Sequence, residues 1–306
     1  MPEIITELDS LTETVHFAEP HFGFLDVDET LLYKGQDPTA LPQTIELMSK
    51  LATPAHKLYL TFNTQHLADL PKYKPLWDLC WQLPNGAVIS PPICLEMGLV
   101  IGTFNQKTNK VDHEFGQHHL FNAQAYAENT RPKIIKLIEA TFPDLVTFES
   151  GKVLIGAQIL PEAVEKFGPD PKAMMKPKLE AALAKQGLDK LAFAISAGTD
   201  LDIAPKIVQM RGKRFGLVTF YKKLQQIFPD FNLNLADFFQ TFYFADDKGY
   251  AGKGLLEPLA IVDAGAIIPT NAEPALQKIP NSIHVPKPGP LHILQAIMEH
   301  ANRHSI

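Results

Sequence analysis

Three stretches of the chain share one pattern of hydrophobic and polar positions. Each is a largely apolar run that breaks directly into polar side chains: residues 22–25 before Asp26, residues 57–62 before Asn63 and Thr64, and residues 239–245 before Asp246 and Asp247. A short continuous apolar run is typical of a strand buried on both faces, as in a parallel sheet. Ligand sites of open α/β sheets lie at the carboxyl ends of such strands. The pattern therefore predicts an α/β protein with a Rossmann-like parallel-sheet core, whose polar strand ends meet in one crevice.

The pattern changes between residues 89 and 204. Short strand-like runs alternate there with helix candidates at residues 132–141 and 171–185. A segment of this length and pattern predicts an inserted α+β cap domain. We therefore expect a core formed by residues 1–88 and 205–306, with a cap formed by residues 89–204.

Composition excludes several classes of protein. The chain has 306 residues, of which 45% are hydrophobic and 20% are charged, and its formal net charge is −6. This acidic balance argues against nucleic acid or an anionic membrane as the main partner. Cys80 and Cys94 are too few for a disulfide framework, and no apolar stretch of the sequence is long enough to span a membrane. We therefore expect a cytoplasmic protein.

Two carboxylates directly after the first predicted strand suggest a metal site. Asp26 and Asp28 are separated by one residue and are followed by Thr30. In a loop leaving the strand, both carboxylates can reach one ligand, and a divalent cation relieves the repulsion between them. The alternative interpretation is an Asp-rich turn in which Thr30 caps the next helix.

These residues resemble the first motif of the haloacid dehalogenase superfamily, which is a strand that ends in Asp-x-Asp-x-Thr. The resemblance implies that Asp26 is the nucleophile that becomes an aspartyl-phosphate. It implies that Asp28 is the general acid and base, and that both residues help to hold Mg2+. Asp26 and Asp28 are therefore expected to be both catalytic and metal-binding.

The second strand end resembles the second motif of that superfamily, which ends in Ser or Thr. Thr64 matches this position, so its hydroxyl is expected to hold the transferring phosphoryl group. Asn63 is expected to contact substrate beside it. Gln65 and His66 stand where large-cap members of the family have Gly-Arg. The alternative is a strand-to-helix turn capped by Asn63 or Thr64.

A basic segment resembles the third motif. Residues 197–214 are similar to the Leu-Asp-Ile-x-Pro-Lys run of the large-cap branch, in which a later lysine pairs with the nucleophile and the phosphoryl oxygens. We favour Lys213 over Arg211 as this cation because an amine is a compact point charge, and Lys206 stays open. Arg211 is expected to bind substrate. The alternative is a solvated basic loop.

The third strand end resembles the fourth motif, a strand that ends in paired acids. The resemblance implies that Asp246 is a direct metal ligand and that Asp247 is a ligand or an outer partner. Gly249 and Tyr250 stand where some members have Asn-Asp. Further along, residues 265–278 resemble the segment that follows this motif in Cof-like proteins, and Asn271 is expected to contact substrate there.

The resemblance spans nearly the whole chain and is weakest in the predicted cap. It implies a Mg2+-dependent phosphomonoester hydrolase of the large-cap branch, either Cof-like or sucrose-phosphatase-like. We expect a small phosphorylated substrate, and specifically a sugar or polyol phosphate, because residues 113–119 and 198–202 offer polar partners for hydroxyl groups. Two alternatives remain open. One is a phosphomutase or phosphotransferase on the same scaffold, and the other is a binding or regulatory protein that has lost its catalysis.

Overall fold

The computed structural model describes most of the chain, with gaps. The described residues are 20–27, 30–31, 46, 48–49, 52–53, 56–64, 74–83, 85–105, 107–118, 120–195, 200–211, 213–228, 241–247, 256–257, 259–260, 265–286 and 289–304. No helix within these ranges is long and apolar enough to cross a membrane.

An eight-stranded sheet forms the centre of the molecule. Its strands are β1 (His21–Asp26), β2 (Leu58–Thr64), β5 (Ile93–Leu95), β6 (Val100–Asn105), β7 (Lys110–Phe115), β14 (Phe242–Ala245), β15 (Gly265–Pro269) and β16 (Ile283–Val285). They are arranged in the order β16-β15-β14-β1-β2-β5-β6-β7. The pairs from β16 to β5 are parallel, and β6 and β7 extend the sheet antiparallel. The predicted parallel-sheet α/β class is confirmed.

Side chains of the central strands alternate between two apolar layers, because successive residues of a strand point to opposite faces. On β1, Phe22 and Phe24 enter one layer and Leu25 enters the other. Helix α7 (Arg214–Ile227) covers the first layer and helix α8 (Pro290–His304) covers the second. With helices on both faces, the apolar strands are buried on both sides, as their sequences predict.

The structure differs from the sequence-based expectation over residues 93–115. The sequence places these residues in the cap, whereas β5, β6 and β7 pair with the central sheet. The Asn85–Gly86 turn belongs to a small separate hairpin formed by β3 (Trp81–Gln82) and β4 (Val88–Ile89), which follows helix α1 (Lys74–Asp78). A short apolar run does not specify its partner strand, so pairing of this kind is decided by tertiary packing.

The elements between β7 and the return to the core form what we call the second lobe, residues 117–205. Its strands are β8 (Gln117–His118), β9 (Phe121–Asn122), β10 (Val146–Phe148), β11 (Ala157–Ile159), β12 (Ala192–Ala194) and β13 (Ile203–Pro205). Its helices are α2 (Ala123–Asn129), α3 (Arg131–Thr141), α4 (Pro161–Phe167) and α5 (Pro171–Lys185). The short helix α6 (Lys206–Arg211) then leads back to α7. Buried residues of the lobe, including Ile134 and Leu179, belong to the same apolar cluster as Leu25 of β1.

Candidate active site

The polar strand ends lie side by side at the carboxyl edge of the central sheet. Asp26 is the last residue of β1 and pairs with Asn63 near the end of β2. On the other side, Leu25 pairs with Ala245, so that Asp246 follows β14 as Asp26 follows Leu25. Adjacent parallel strands lie about 4.8 Å apart. The register therefore brings acids that are 220 positions apart in the sequence into one buried cluster.

Lys213 joins the two acids at the centre of this cluster. Its Nζ donates to Oδ1 of Asp26 at 2.6 Å and lies 2.7 Å from Oδ2 of Asp246. The amide Nδ2 of Asn63 donates to the same Asp26 Oδ1 at 3.0 Å. All four side chains are buried. Two donors thus converge on a single oxygen of Asp26.

Helix α7 holds Lys213 in place. Lys213 directly precedes the helix, and Leu217 and Phe220 bury the helix against the aromatic layer of the sheet. At Gly216 the helix comes so close that an added Cβ would lie 2.9 Å from Cζ of Phe24. Glycine at this position lets the helix, and with it the lysine, approach the end of β1.

Burial and neighbouring charges shift the pKa values of both Asp26 and Lys213. Burial is the largest cause of a rise in the pKa of Asp26 from 3.8 to about 7, with Lys213 opposing the rise and Asp246 adding to it. Burial alone would lower the pKa of Lys213, but the carboxylates of Asp246 and Asp26 outweigh it and raise that pKa above its ordinary value. Lys213 is therefore a fixed ammonium at neutral pH.

The acids are grouped closely enough to hold a metal ion. One carboxylate oxygen from each of Asp26, Asp246 and Asp247 lies within 4.8 Å of the other two, and all three residues are buried. When ionised, these carboxylates carry three negative charges against the single positive charge of Lys213. Among the described residues, the ionised cluster thus has a net charge of −2. Hard oxygen ligands with a net charge of this sign suit Mg2+.

The remaining predicted site residues fall in several places. Thr64 is buried at the end of β2. Arg211 ends helix α6, and its side chain lies outside what the structure describes. Lys206 is exposed, and its Nζ lies 5.7 Å from the centroid of the Phe193 ring. Its ammonium therefore contacts the second lobe. Asn271 is exposed in the turn after β15.

Asp28, the predicted acid and base, lies outside the described residues, as do Gln65, His66, Gly249 and Tyr250. Its role stays a prediction from the sequence.

One buried acid at this edge was not among the predicted site residues. Glu96 directly follows β5, the strand beside β2 in the central sheet, and is 3% exposed. The sequence does contain a signal, because Glu96 is the only charged residue in the run from Ile93 to Ile101. A lone charge in an apolar run indicates burial with specific partners.

Comparison with known proteins gives a match in structure. No protein-family model and no curated protein sequence matches the chain. The structure is similar to a haloacid dehalogenase-like hydrolase from Bacteroides thetaiotaomicron, with a TM-score of 0.55 and 12% identity, covering 92% of this chain and 99% of that one.

The chain has the fold of the haloacid dehalogenase-like hydrolases. It is also similar to a haloacid dehalogenase-like hydrolase from Bacillus subtilis, with a TM-score of 0.45 and 14% identity, over 96% of this chain and 98% of that one. For trehalose-6-phosphate phosphatase from Aspergillus fumigatus, the TM-score is 0.44 and the identity 13%, over 97% of each chain. The match at a TM-score of 0.55 and 12% identity shows the fold alone, so the residues at the strand ends carry the functional argument.

Proposed function

We propose that the protein is a Mg2+-dependent phosphomonoester hydrolase of the large-cap haloacid dehalogenase branch that works through an aspartyl-phosphate. The observation that carries the proposal is the carboxylate of Asp26, held at a strand end by Lys213 and Asn63 and flanked by Asp246 and Asp247. A carboxylate acts as a nucleophile only when it is held in line and the charge of the phosphoryl group is neutralised. Lys213 and Asn63 restrain the Asp26 carboxylate, and Lys213 brings a positive charge to it, which supports the proposal.

The roles follow from the contacts of Asp26. Within the described part of the chain, both donors reach Oδ1, which leaves Oδ2 for attack on phosphorus. As that bond forms, the bond from phosphorus to the ester oxygen breaks, and Asp28 gives the leaving oxygen a proton. Water then attacks the phosphorus of the aspartyl-phosphate and passes a proton to Asp28. Phosphate departs and the Asp26 carboxylate is regenerated.

The other polar groups hold the phosphoryl oxygens. Lys213 is a permanent positive charge next to the attacking carboxylate, and it serves the equatorial oxygens in the transition state. The hydroxyl of Thr64, at the end of the neighbouring strand, is assigned a second contact of this kind. Asp26, Asp246 and Asp247, with Asp28, would hold Mg2+, which when bound supplies further neutralisation of the phosphoryl charge.

For the substrate we propose a sugar or polyol phosphate, selected by the second lobe. The lobe carries a partly buried group of charges that supports this choice. Burial lowers the pKa of Lys172, an effect that the nearby Asp202 and Asp200 oppose. Burial, with Glu149 next in effect, raises the pKa of Asp200. A site that pairs hydroxyl groups rejects analogues without them strongly. We also place the protein in the cytoplasm, where its free cysteines Cys80 and Cys94 would stay reduced.

A phosphate-release screen with Mg2+ tests the proposal. It covers sugar and polyol phosphates, nucleotides, phospho-acids, an aryl phosphate and phosphotyrosine peptides, and we expect the sugar phosphates to give the highest kcat/KM. Release should stop in EDTA. If a phosphopeptide gives the highest kcat/KM, the proposed substrate class is wrong, although the proposed mechanism still applies. If no class of substrate releases phosphate, a binding protein on this fold is favoured.

Two substitutions test the chemistry in the same assay. Asp26→Asn should abolish phosphate release, because an amide does not form the phosphoenzyme. Asp28→Asn should cripple turnover while leaving metal binding largely intact, because the metal ligand that we propose at residue 28 is its backbone carbonyl. Asp112→Asn is the matched control, because Asp112 is exposed on β7 and, within the described part of the chain, accepts a single hydrogen bond, from Asn105 at 2.8 Å. Turnover by the Asp26 variant at the level of this control would contradict the mechanism.

A further inference from the structure

Glu96 lies in an unusual backbone segment beside the active-site edge. Strand β5 pairs with β2 so that Leu95 lies opposite Thr64, and Glu96 is the next residue. Glu96, Met97 and Gly98 all have left-handed backbone angles, with φ of 52°, 61° and 82°. Two consecutive non-glycine residues in this region are uncommon and persist where surrounding contacts fix them. The segment is therefore held by strong contacts on its side chains or backbone.

The carboxylate of Glu96 supplies such contacts, and they reach into the second lobe. Oε1 accepts from the backbone N–H of Lys152 at 2.7 Å. Oε2 accepts from the N–H of Val153 at 2.7 Å and of Leu154 at 2.6 Å. These three residues lie in the loop between β10 and β11, 56 to 58 positions away in the sequence. Successive backbone N–H groups that surround one anion form a strong, specific contact.

A second contact holds the same loop from within its own lobe. Nε of Arg131, at the start of α3, donates to the carbonyl oxygen of Leu154 at 3.2 Å. The Glu96 carboxylate also lies close enough to raise the pKa of Arg131 against the lowering by burial, which is the larger effect. The backbone N–H groups of the loop 152–154 thus donate to the carboxylate of Glu96 in the core. The carbonyl oxygen of Leu154 accepts from Arg131 in the second lobe.

On the core side, the segment 96–98 packs against elements of the active site. A Cβ at Gly216 of helix α7 would lie 3.5 Å from Cα of Gly98, and Gly216 is three residues after Lys213. A Cβ at Gly116, where β7 leads into the second lobe, would overlap the carbonyl oxygen of Gly98. The segment therefore contacts the helix that carries Lys213, the start of the lobe and the loop 152–154.

We propose that Glu96 is a positioning residue that fixes the loop 152–154 of the second lobe at the carboxyl edge of the central sheet, and thereby sets which leaving group is accepted. β5 lies two strand spacings from β1, or about 10 Å. Glu96 thus connects the carboxyl edge that carries Asp26 to the loop 152–154, on which Lys152 is exposed. The selectivity part rests on the proposed phosphatase function, whereas the positioning part does not.

Site-resolved hydrogen exchange tests the positioning part without an activity assay. The variant is Glu96→Gln, which keeps one acceptor oxygen and replaces the other with an amide nitrogen that faces a backbone N–H. Exchange at Lys152, Val153 and Leu154 should rise at least about tenfold, and by clearly more than exchange in β1 and β2, because local contacts open independently of the core. The matched control is Glu114→Gln, whose carboxylate makes an exposed ion pair with Lys223 at 2.8 Å.

Two results would overturn the positioning role. Unchanged exchange at residues 152–154 would mean that the carboxylate does not hold the loop. An equal rise in β1 and β2 would mean that Glu96 supports the whole fold and not the loop in particular.

Steady-state kinetics test the selectivity part with the best sugar phosphate and p-nitrophenyl phosphate as probes. For Glu96→Gln, KM for the sugar phosphate should rise about tenfold, while kcat for the aryl phosphate stays within about twofold, because the reacting groups are in the core. Equal losses for both substrates, or an unchanged KM with raised exchange, would overturn the selectivity role. If the wild-type protein releases no phosphate, the proposed function and this selectivity role both fall, and the exchange experiment still decides the positioning role.

Discussion

Asp26 and Glu96 are two buried carboxylates at the same edge of the same sheet, and their partners differ in kind. Asp26 is contacted at one oxygen by two side chains and lies among other acids. Glu96 is contacted at both oxygens by three backbone N–H groups. Side-chain donors can shift when a ligand arrives, whereas backbone donors of a packed loop cannot. On the proposed function, the comparison separates a carboxylate that would take part in the chemistry from one that connects two parts of the fold.

The difference also appears in the charge balance. Asp26 has a pKa raised to about 7, mainly by burial, and it shares a single ammonium with Asp246. An anion in such a place gains from a further cation or from a phosphoryl group that brings one. Within the described residues, the Glu96 carboxylate already has three N–H donors, so it has no comparable need for a ligand. Burial alone therefore does not distinguish a reactive acid from a structural one.

Removing the structural carboxylate should have the largest effect, and it should be on stability. Glu96→Ala leaves the N–H groups of Val153 and Leu154 buried without their acceptor, which we expect to cost about 3–5 kcal/mol in the free energy of unfolding. Urea denaturation would show a lower midpoint at an unchanged slope. Glu114→Ala, at an exposed ion pair, should stay within about 1 kcal/mol. Equal midpoints for the two variants would mean that the Glu96 contacts contribute little.

Removing Lys213, the cation that contacts the proposed nucleophile Asp26, should act mainly on turnover. Lys213→Ala should lower kcat by about 10²-fold or more, the scale of losing one preorganised donor. Arg211→Ala and Lys206→Ala should be mild, measured with the same substrate and Mg2+. If Arg211→Ala proves the more damaging change, Arg211 carries the third-motif role and the assignment of Lys213 is wrong.

Removing the neutral donor to Asp26 should have a smaller effect and should distinguish two roles for Asn63. If its amide orients Asp26, Asn63→Ala should lower kcat about tenfold with little change in KM, since one hydrogen bond to a charged group is lost. If Asn63 contacts substrate as the sequence suggests, KM should rise instead. Steady-state kinetics on the best substrate of the screen decides between them.

The smallest expected effect concerns the approach of helix α7 to β1. In Gly216→Ala, the new methyl group would meet the buried Phe24 ring, at a cost of about 1–3 kcal/mol. Better helix propensity returns about 1 kcal/mol, so the net loss of stability should be roughly 1 kcal/mol. A displaced Lys213 should also lower kcat a few-fold. A stabilised variant with full activity would show that the close approach at Gly216 is not needed.

Much of the active-site edge could be predicted from the sequence because its signals are local. Apolar runs that break into Asp26 and Asp246 predict strands with acids at their carboxyl ends, and the parallel sheet confirms the strand type. The compact point charge of an amine favours Lys213 over Arg211 as the cation of the site. The structure adds that Lys213 Nζ contacts two of the predicted acids, which no spacing in the sequence specifies.

Contacts between residues that are distant in the chain could not be predicted from local pattern. The pairing of β5 with β2 is one such case, because no local pattern in residues 93–95 specifies a partner strand. Glu96 signals burial in the sequence, yet its partners are backbone N–H groups more than 50 residues away, and every residue except proline carries such a group. Local pattern determines the type of an element and the residue at its end. Packing determines which elements meet, and with it the contacts that separate the carboxylate of Asp26 from that of Glu96.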